Sequence, residues 1–104
     1  MSSPAYFFDT YAFFEVIRAN PHYKPYYETQ AITTVFNLAE LNYNLKKEMS
    51  KKAADELTEK YAAYLVHVAI DDIKEAMDMK LRNKDLSIPD VIGYIVAKKH
   101  SVKF

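Results

Sequence analysis

Stretches of continuous apolar residues and stretches of helical periodicity follow one another along the chain, and the changes between them mark its elements. Ala5 and the bulky run Tyr6-Phe7-Phe8 lead into Asp9 and Thr10. An apolar run without alternation is the pattern of a strand buried on both faces, as at the centre of a parallel sheet. Tyr11 to Arg18 is apolar nearly all round, which suits a helix buried on several sides, and Thr10 can cap it. Asn20-Pro21 stops it, because proline disfavours helical geometry in the residue before it. His22 to Glu28 is a tyrosine-rich connector, or one short turn at Pro25-Tyr26-Tyr27.

Gln30 to Thr33 predicts a short second strand, and Thr33 or Thr34 caps a helix running to about Glu48. In that helix Val35, Leu38, Leu41, Asn42 and Leu45 share one side. Glu40 lies on the other with Thr33, Asn37, Asn44 and Lys47, since residues three, four and seven apart align. Ser50 caps a third helix whose inner face is Ala53, Ala54, Leu57, Tyr61, Tyr64 and Leu65. Val66 to Ile70 predicts a third strand, with Asp71 or Asp72 capping a helix that carries Ile73, Ala76, Met77, Lys80 and Leu81. The acids Asp71, Asp72, Glu75 and Asp78 in its first turns suit the helix dipole and read as structural.

Asn83-Lys84-Asp85 is a turn, and Ser87-Ile88-Pro89-Asp90 opens the last helix, with Ile88, Val91, Ile92, Ile95 and Val96 facing inward. Lys98-Lys99-His100-Ser101 ends it, and Val102-Lys103-Phe104 begins a fourth strand. Strands alternating with helices imply a parallel sheet with right-handed crossovers. The expected architecture is a single α/β domain over residues 1–104, a three-layer α/β/α sandwich whose C-terminal strand is cut short.

Composition narrows the chemistry. Half-hydrophobic content and 27% charge describe a soluble globular chain, and no apolar run reaches the ~20 residues of a membrane span. Without a signal-peptide pattern or cysteines, a cytoplasmic location is expected, and disulfides and thiolate metal sites are excluded. Basic and acidic residues balance at 14 each, so nucleic-acid binding must rest on a local patch. Lys46, Lys47, Lys51 and Lys52 form the dense one, equally readable as a solvated helix end. The one glycine excludes Gly-rich phosphate loops. Tyrosines with His22 and Lys24 can stack on bases, or can simply roof a small core.

Three carboxylates stand out by context: Asp9 at a strand's carboxyl end, Glu40 on a polar helix face, and Asp90 in a helix's first turn. The carboxyl edge of an open α/β sheet is where ligands bind. Glu40 also reads as a surface glutamate, and Ser87 with Asp90 fits a capping box. Carboxylates grouped together repel, and a divalent cation removes that cost; oxygen-only ligands suit Mg²⁺ or Mn²⁺.

Four segments resemble the PIN-domain family. Phe7-Phe8-Asp9-Thr10-Tyr11-Ala12 is similar to its opening strand ending in Asp-Thr or Asp-Ser. Thr33 to Leu41, with Glu40, is similar to its second motif, Val68-Ala69-Ile70-Asp71 to the strand ahead of the third, and Leu86 to Ala97, with Asp90, to the third motif. The resemblance spans essentially the whole chain and is nearest to VapC-type toxins of toxin–antitoxin pairs. It implies a Mg²⁺- or Mn²⁺-dependent endoribonuclease, commonly dimeric and silenced by an antitoxin protein. Asp9, Asp90 and Glu40 are then metal-site residues, and Lys46, Lys47 and Thr10 contact RNA. Family members usually continue into a Thr-Gly-Asp or Thr-Asn-Asp segment, whereas this sequence stops at Phe104, so the expectation is a C-terminally incomplete, weakly active form. The competing expectation is a non-catalytic PIN-like interaction module. A phospho-acceptor receiver domain fits poorly, because Asp9 stands alone and Val66 to Ile70 holds no lysine.

Overall fold

A computed structural model describes residues 5–18 and 30–102. The connector His22 to Glu28, the stop at Asn20-Pro21 and the terminal Lys103-Phe104 lie outside the described residues.

Two short parallel strands, β1 (Ala5–Phe7) and β2 (Gln30–Ile32), form the sheet, with Tyr6 opposite Ala31 and Phe7 opposite Ile32. The Phe8 N–H donates to the Ile32 carbonyl at 2.9 Å and carries the ladder one step further. Successive strand residues point to opposite faces, and this splits the core in two. Phe8 and Ala31 join Phe13, Leu38, Leu41, Leu45, Ala54 and Tyr61 on one face. Phe7 joins Ala76, Val91, Ile92, Ile95 and Val96 on the other, with Ile32, Phe36, Val66 and Val68 packed against them. The strand is therefore buried on both sides, and the α/β architecture follows.

Helices α1 (Thr10–Ile17), α2 (Val35–Glu48), α3 (Lys51–Tyr61), α4 (Ile70–Arg82) and α5 (Ile88–Lys99) surround the sheet, with a 3₁₀ turn at Ala62–Tyr64. The sequence places most of them by their caps. Ser50 accepts from the Ala53 N–H, Thr34 from the Asn37 N–H, and Ser87 with Asp90 forms the expected capping box. Helix α1 departs from expectation: Asp9 is its cap, accepting from the Ala12 N–H at 2.8 Å, and Thr10 is its first helical residue.

The expected third strand over Val66 to Ile70 does not form. Thr33 pairs with Leu65 in an isolated parallel bridge, the Val66 N–H donates to the Thr33 carbonyl, and helix α4 already begins at Ile70. Ala69 occupies the cap position, its N–H donating to the Asp72 carboxylate at 2.9 Å. Asp72 also pairs with Lys99 at 3.2 Å, setting the first turn of α4 against the last turn of α5. The Ala69 N–H first, and Lys99 after it, hold the Asp72 carboxyl below its ordinary value against the opposing effect of burial.

Val102 does not open a strand. Ser101 adopts φ 55°, its N–H donates to the Lys98 carbonyl, and the Val102 N–H donates to the Ala97 carbonyl at 3.0 Å. This is a Schellman closure, in which the residue after the left-handed turn packs its side chain back onto the helix; Val102 does so against the second core cluster. Ile88 and Val35, expected inside, are 46% and 57% exposed, because each sits at the first position of its helix, beyond the packed layer. Among the described residues no helix is long and apolar enough to cross a membrane.

Candidate active site

The parallel register brings two helix starts to one edge. One step beyond the Phe7–Ile32 pair stand Phe8 and Thr33, and one step further Asp9 and Thr34. Both of the latter are N-caps, of α1 and α2. The Thr33 hydroxyl donates to the Phe8 carbonyl at 2.9 Å, satisfying a backbone group that the ending ladder would otherwise leave bare. Thr10 in turn donates from its hydroxyl to the Asn37 carbonyl at 3.4 Å, tying the first residue of α1 to the first turn of α2. Thr10, Thr33, Thr34 and Asn37 are all buried, so a polar layer lies beneath this edge.

Asn37 is the residue that periodicity misplaces. A helical wheel puts it with Glu40 on the polar side, yet its side chain is fully buried. The Thr34 hydroxyl donates to its Oδ1 at 2.6 Å, while its Nδ2 is buried without a hydrogen-bond partner. Its position three residues after the capping threonine is the sequence signal that could have found it.

Two of the three candidate acids accept from a backbone N–H at a helix start, and the third stands inside a helix. Asp9 spends Oδ1 on the Ala12 N–H, and Asp90 spends Oδ2 on the Ser87 N–H at 3.1 Å. Glu40 stands in the second turn of α2, partly buried, with its backbone carbonyl accepting from Asn44. No hydrogen bond or ion pair among the described residues joins the three acids to one another. Nor do any three His, Asp or Glu side chains among the described residues lie close enough together to hold a metal ion. The donor chemistry nevertheless suits a hard cation, since each capping carboxylate keeps one oxygen outside its capping bond. Mg²⁺ in particular keeps several waters and takes only one or two carboxylates directly, so it does not need three protein ligands in contact.

The lysine patch divides on inspection. Lys46 pairs with Asp55 at 3.0 Å, and Lys51 reaches the same carboxylate at 3.4 Å. Asn42 also donates to Asp55, and these contacts, the Asn42 amide first and Lys46 next, hold its carboxyl at about 2. Lys46 thus joins α2 to α3. Lys47 has no carboxylate partner among the described residues; its ammonium lies 4.8 Å from the centre of the Tyr43 ring. Two surface grooves, one at Met77, Lys80, Leu81 and Lys84 and one between α2 and α3, include none of the three acids.

A parallel sheet with capped helices springing from its carboxyl edge defines an α/β protein of the kind that binds ligands at that edge. The family is more definite. A model of the PIN domain matches residues 6–104, and the chain belongs to that family, whose members are typically metal-dependent nucleases acting on RNA or DNA. No curated protein and no solved structure matches the chain.

Proposed function

We propose that the protein is a Mg²⁺- or Mn²⁺-dependent endoribonuclease, the toxin of a toxin–antitoxin pair. The observation that carries this reading is the PIN match over residues 6–104, combined with Asp9 as the cap at the carboxyl end of β1. In this reading Asp9 is the central metal ligand and Asp90 the second. Glu40 acts through a water, as a ligand or by orienting the attacking water. A divalent cation bound there supplies an acidified water and neutralises charge on the scissile phosphate. Capping matters to the chemistry: an oxygen held by the Ala12 N–H fixes the Asp9 rotamer, so the remaining oxygen is presented without a further entropy cost. Lys47 contacts the RNA backbone. Thr10, buried with its hydroxyl spent on the Asn37 carbonyl, and Lys46, paired with Asp55, brace the elements around the site instead of meeting RNA.

The protein works in the cytoplasm as one domain, dimerises, and is held inactive by an antitoxin. Supporting a contact surface, α4 leaves the apolar side chains Ile70 and Leu81, near its two ends on one face, 69% and 73% exposed. The test is cleavage of labelled RNA with Mg²⁺ or Mn²⁺, its loss with EDTA, and its loss in Asp9→Asn. Metal-dependent cleavage surviving in purified Asp9→Asn would sink this site.

One observation favours a second reading, a non-catalytic interaction module: Asp9 caps α1, Asp90 closes the capping box of α5, and no three-acid cluster forms among the described residues. That reading expects no RNA cleavage and a melting temperature indifferent to divalent metal.

A further inference from the structure

Among the described residues, Asn37 Nδ2 is the buried side-chain polar atom left without a hydrogen-bond partner. The residue is 0% exposed, and its Oδ1 is fixed by the Thr34 hydroxyl at 2.6 Å. A buried donor left bare is costly, so nearly all such groups bond to protein or to ordered water. Asn37 stands at the third position of α2, where helical geometry tilts its side chain back towards the helix start and the carboxyl edge. The start of α1 lies against that turn, because the Thr10 hydroxyl donates to the Asn37 carbonyl at 3.4 Å. O–H···O bonds are usually near ~2.8 Å, so the two helix starts are tied without being drawn tight. Thr10 is buried too, and its hydroxyl oxygen keeps lone pairs that no donor among the described residues takes. Thr34 Oγ1 accepts from the Asn37 N–H at 3.2 Å and has a lone pair left.

We propose that Asn37, Thr10 and Thr34 build an internal site for a single water molecule, which pins the start of α1 to the start of α2. The chemistry of the three groups selects the ligand. Nδ2 offers a proton, so it does not hold a cation. All three residues are buried, which excludes an organic ligand. An anion would be buried without a cation to pair with, one residue from the Asp9 carboxylate. Water meets every requirement. It accepts from Nδ2 and donates its two protons to the Thr10 and Thr34 hydroxyl oxygens, about the three bonds usual for a buried water. The consequence is mechanical: α1 is capped by Asp9 and α2 carries Glu40, so the water fixes the helix starts from which both acids project. The site belongs to the fold and stands apart from the nuclease reading.

The test joins a crystal structure of the full chain to water-oxygen magnetic relaxation dispersion, which counts long-lived internal waters in solution. The crystal should show a water about 2.7–3.2 Å from both Asn37 Nδ2 and the Thr10 hydroxyl. Asn37→Leu removes the donor at similar volume and should lose about one long-lived water per chain. Thr10→Val removes an acceptor instead, should lose the same water, and serves if the leucine variant does not fold. Hydrogen exchange at the Ala12 amide, which bonds to Asp9, should quicken roughly fivefold in either variant. Nδ2 donating to a protein group in the crystal, or an unchanged water count in a folded variant, overturns the site. A lost water with unchanged exchange at Ala12 overturns the pin.

Discussion

Asp9 and Thr34 occupy matching positions in the parallel register, two residues beyond the paired Phe7 and Ile32, and each caps the helix that follows. The two side chains do the same structural work, but only one of them carries a charge. That difference makes a clean substitution available at Asp9. Asparagine caps as well as aspartate, so Asp9→Asn should melt within about 1 °C of the parent while losing most metal-dependent cleavage. Asp9→Ala should lose the cleavage and also about 1 kcal/mol of stability, read by urea denaturation. Equal stability in the two variants would show that the cap contributes nothing.

Thr33 closes the ladder by donating to the Phe8 carbonyl. Thr33→Val keeps the shape but leaves that buried carbonyl bare, at a cost of about 1–3 kcal/mol. Chemical denaturation at neutral pH checks this, and an unchanged midpoint would show that the bond is replaceable.

Asp55 sets an acid limit. Its folded value of about 2 lies below the ordinary 3.8, so its contribution is present above that ordinary value and fades as pH falls towards the folded one. Melting temperature should decline between about pH 4 and pH 2, and Asp55→Asn should flatten part of that decline. Lys46→Ala should weaken the same dependence, since Lys46 is among the groups holding Asp55 low. Lys47→Ala should instead leave stability unchanged and reduce the salt slope of single-strand RNA binding by about 0.7.

Ser101 holds a left-handed backbone, φ 55°, that costs an L-residue about 1–2 kcal/mol relative to glycine's freedom. Ser101→Gly should raise stability by a comparable but smaller amount, because glycine also loosens the unfolded chain. Thermal unfolding decides it; a lower melting temperature would contradict the geometry.

The exposed Ile70 and Leu81 of α4 make the association prediction specific. Sedimentation at high micromolar concentration should show a dimer, and Ile70→Asp with Leu81→Asp should return it to monomer. A clean parental monomer would count against self-association.

Much of this protein was determined within a few residues of sequence. Thr34, Ser50 and Ser87 announce their helices because a cap bonds an N–H only three residues ahead. Phe7 and Phe8 announce a strand buried on both sides because neighbouring strand residues necessarily face opposite ways. Tertiary structure decided what depends on distant partners. Val66 to Ala69 has strand-like composition, but a strand exists only where a neighbour pairs with it, and Thr33 offers a single bridge. Asn37 reads as polar surface until Thr10, 27 residues away, covers its turn and donates to its carbonyl. Lys46 reads as a free cation until α3 brings Asp55 within 3.0 Å. Local hydrogen bonds are written in the order of the residues; burial and ion pairing are settled by which helices the folded core lays side by side.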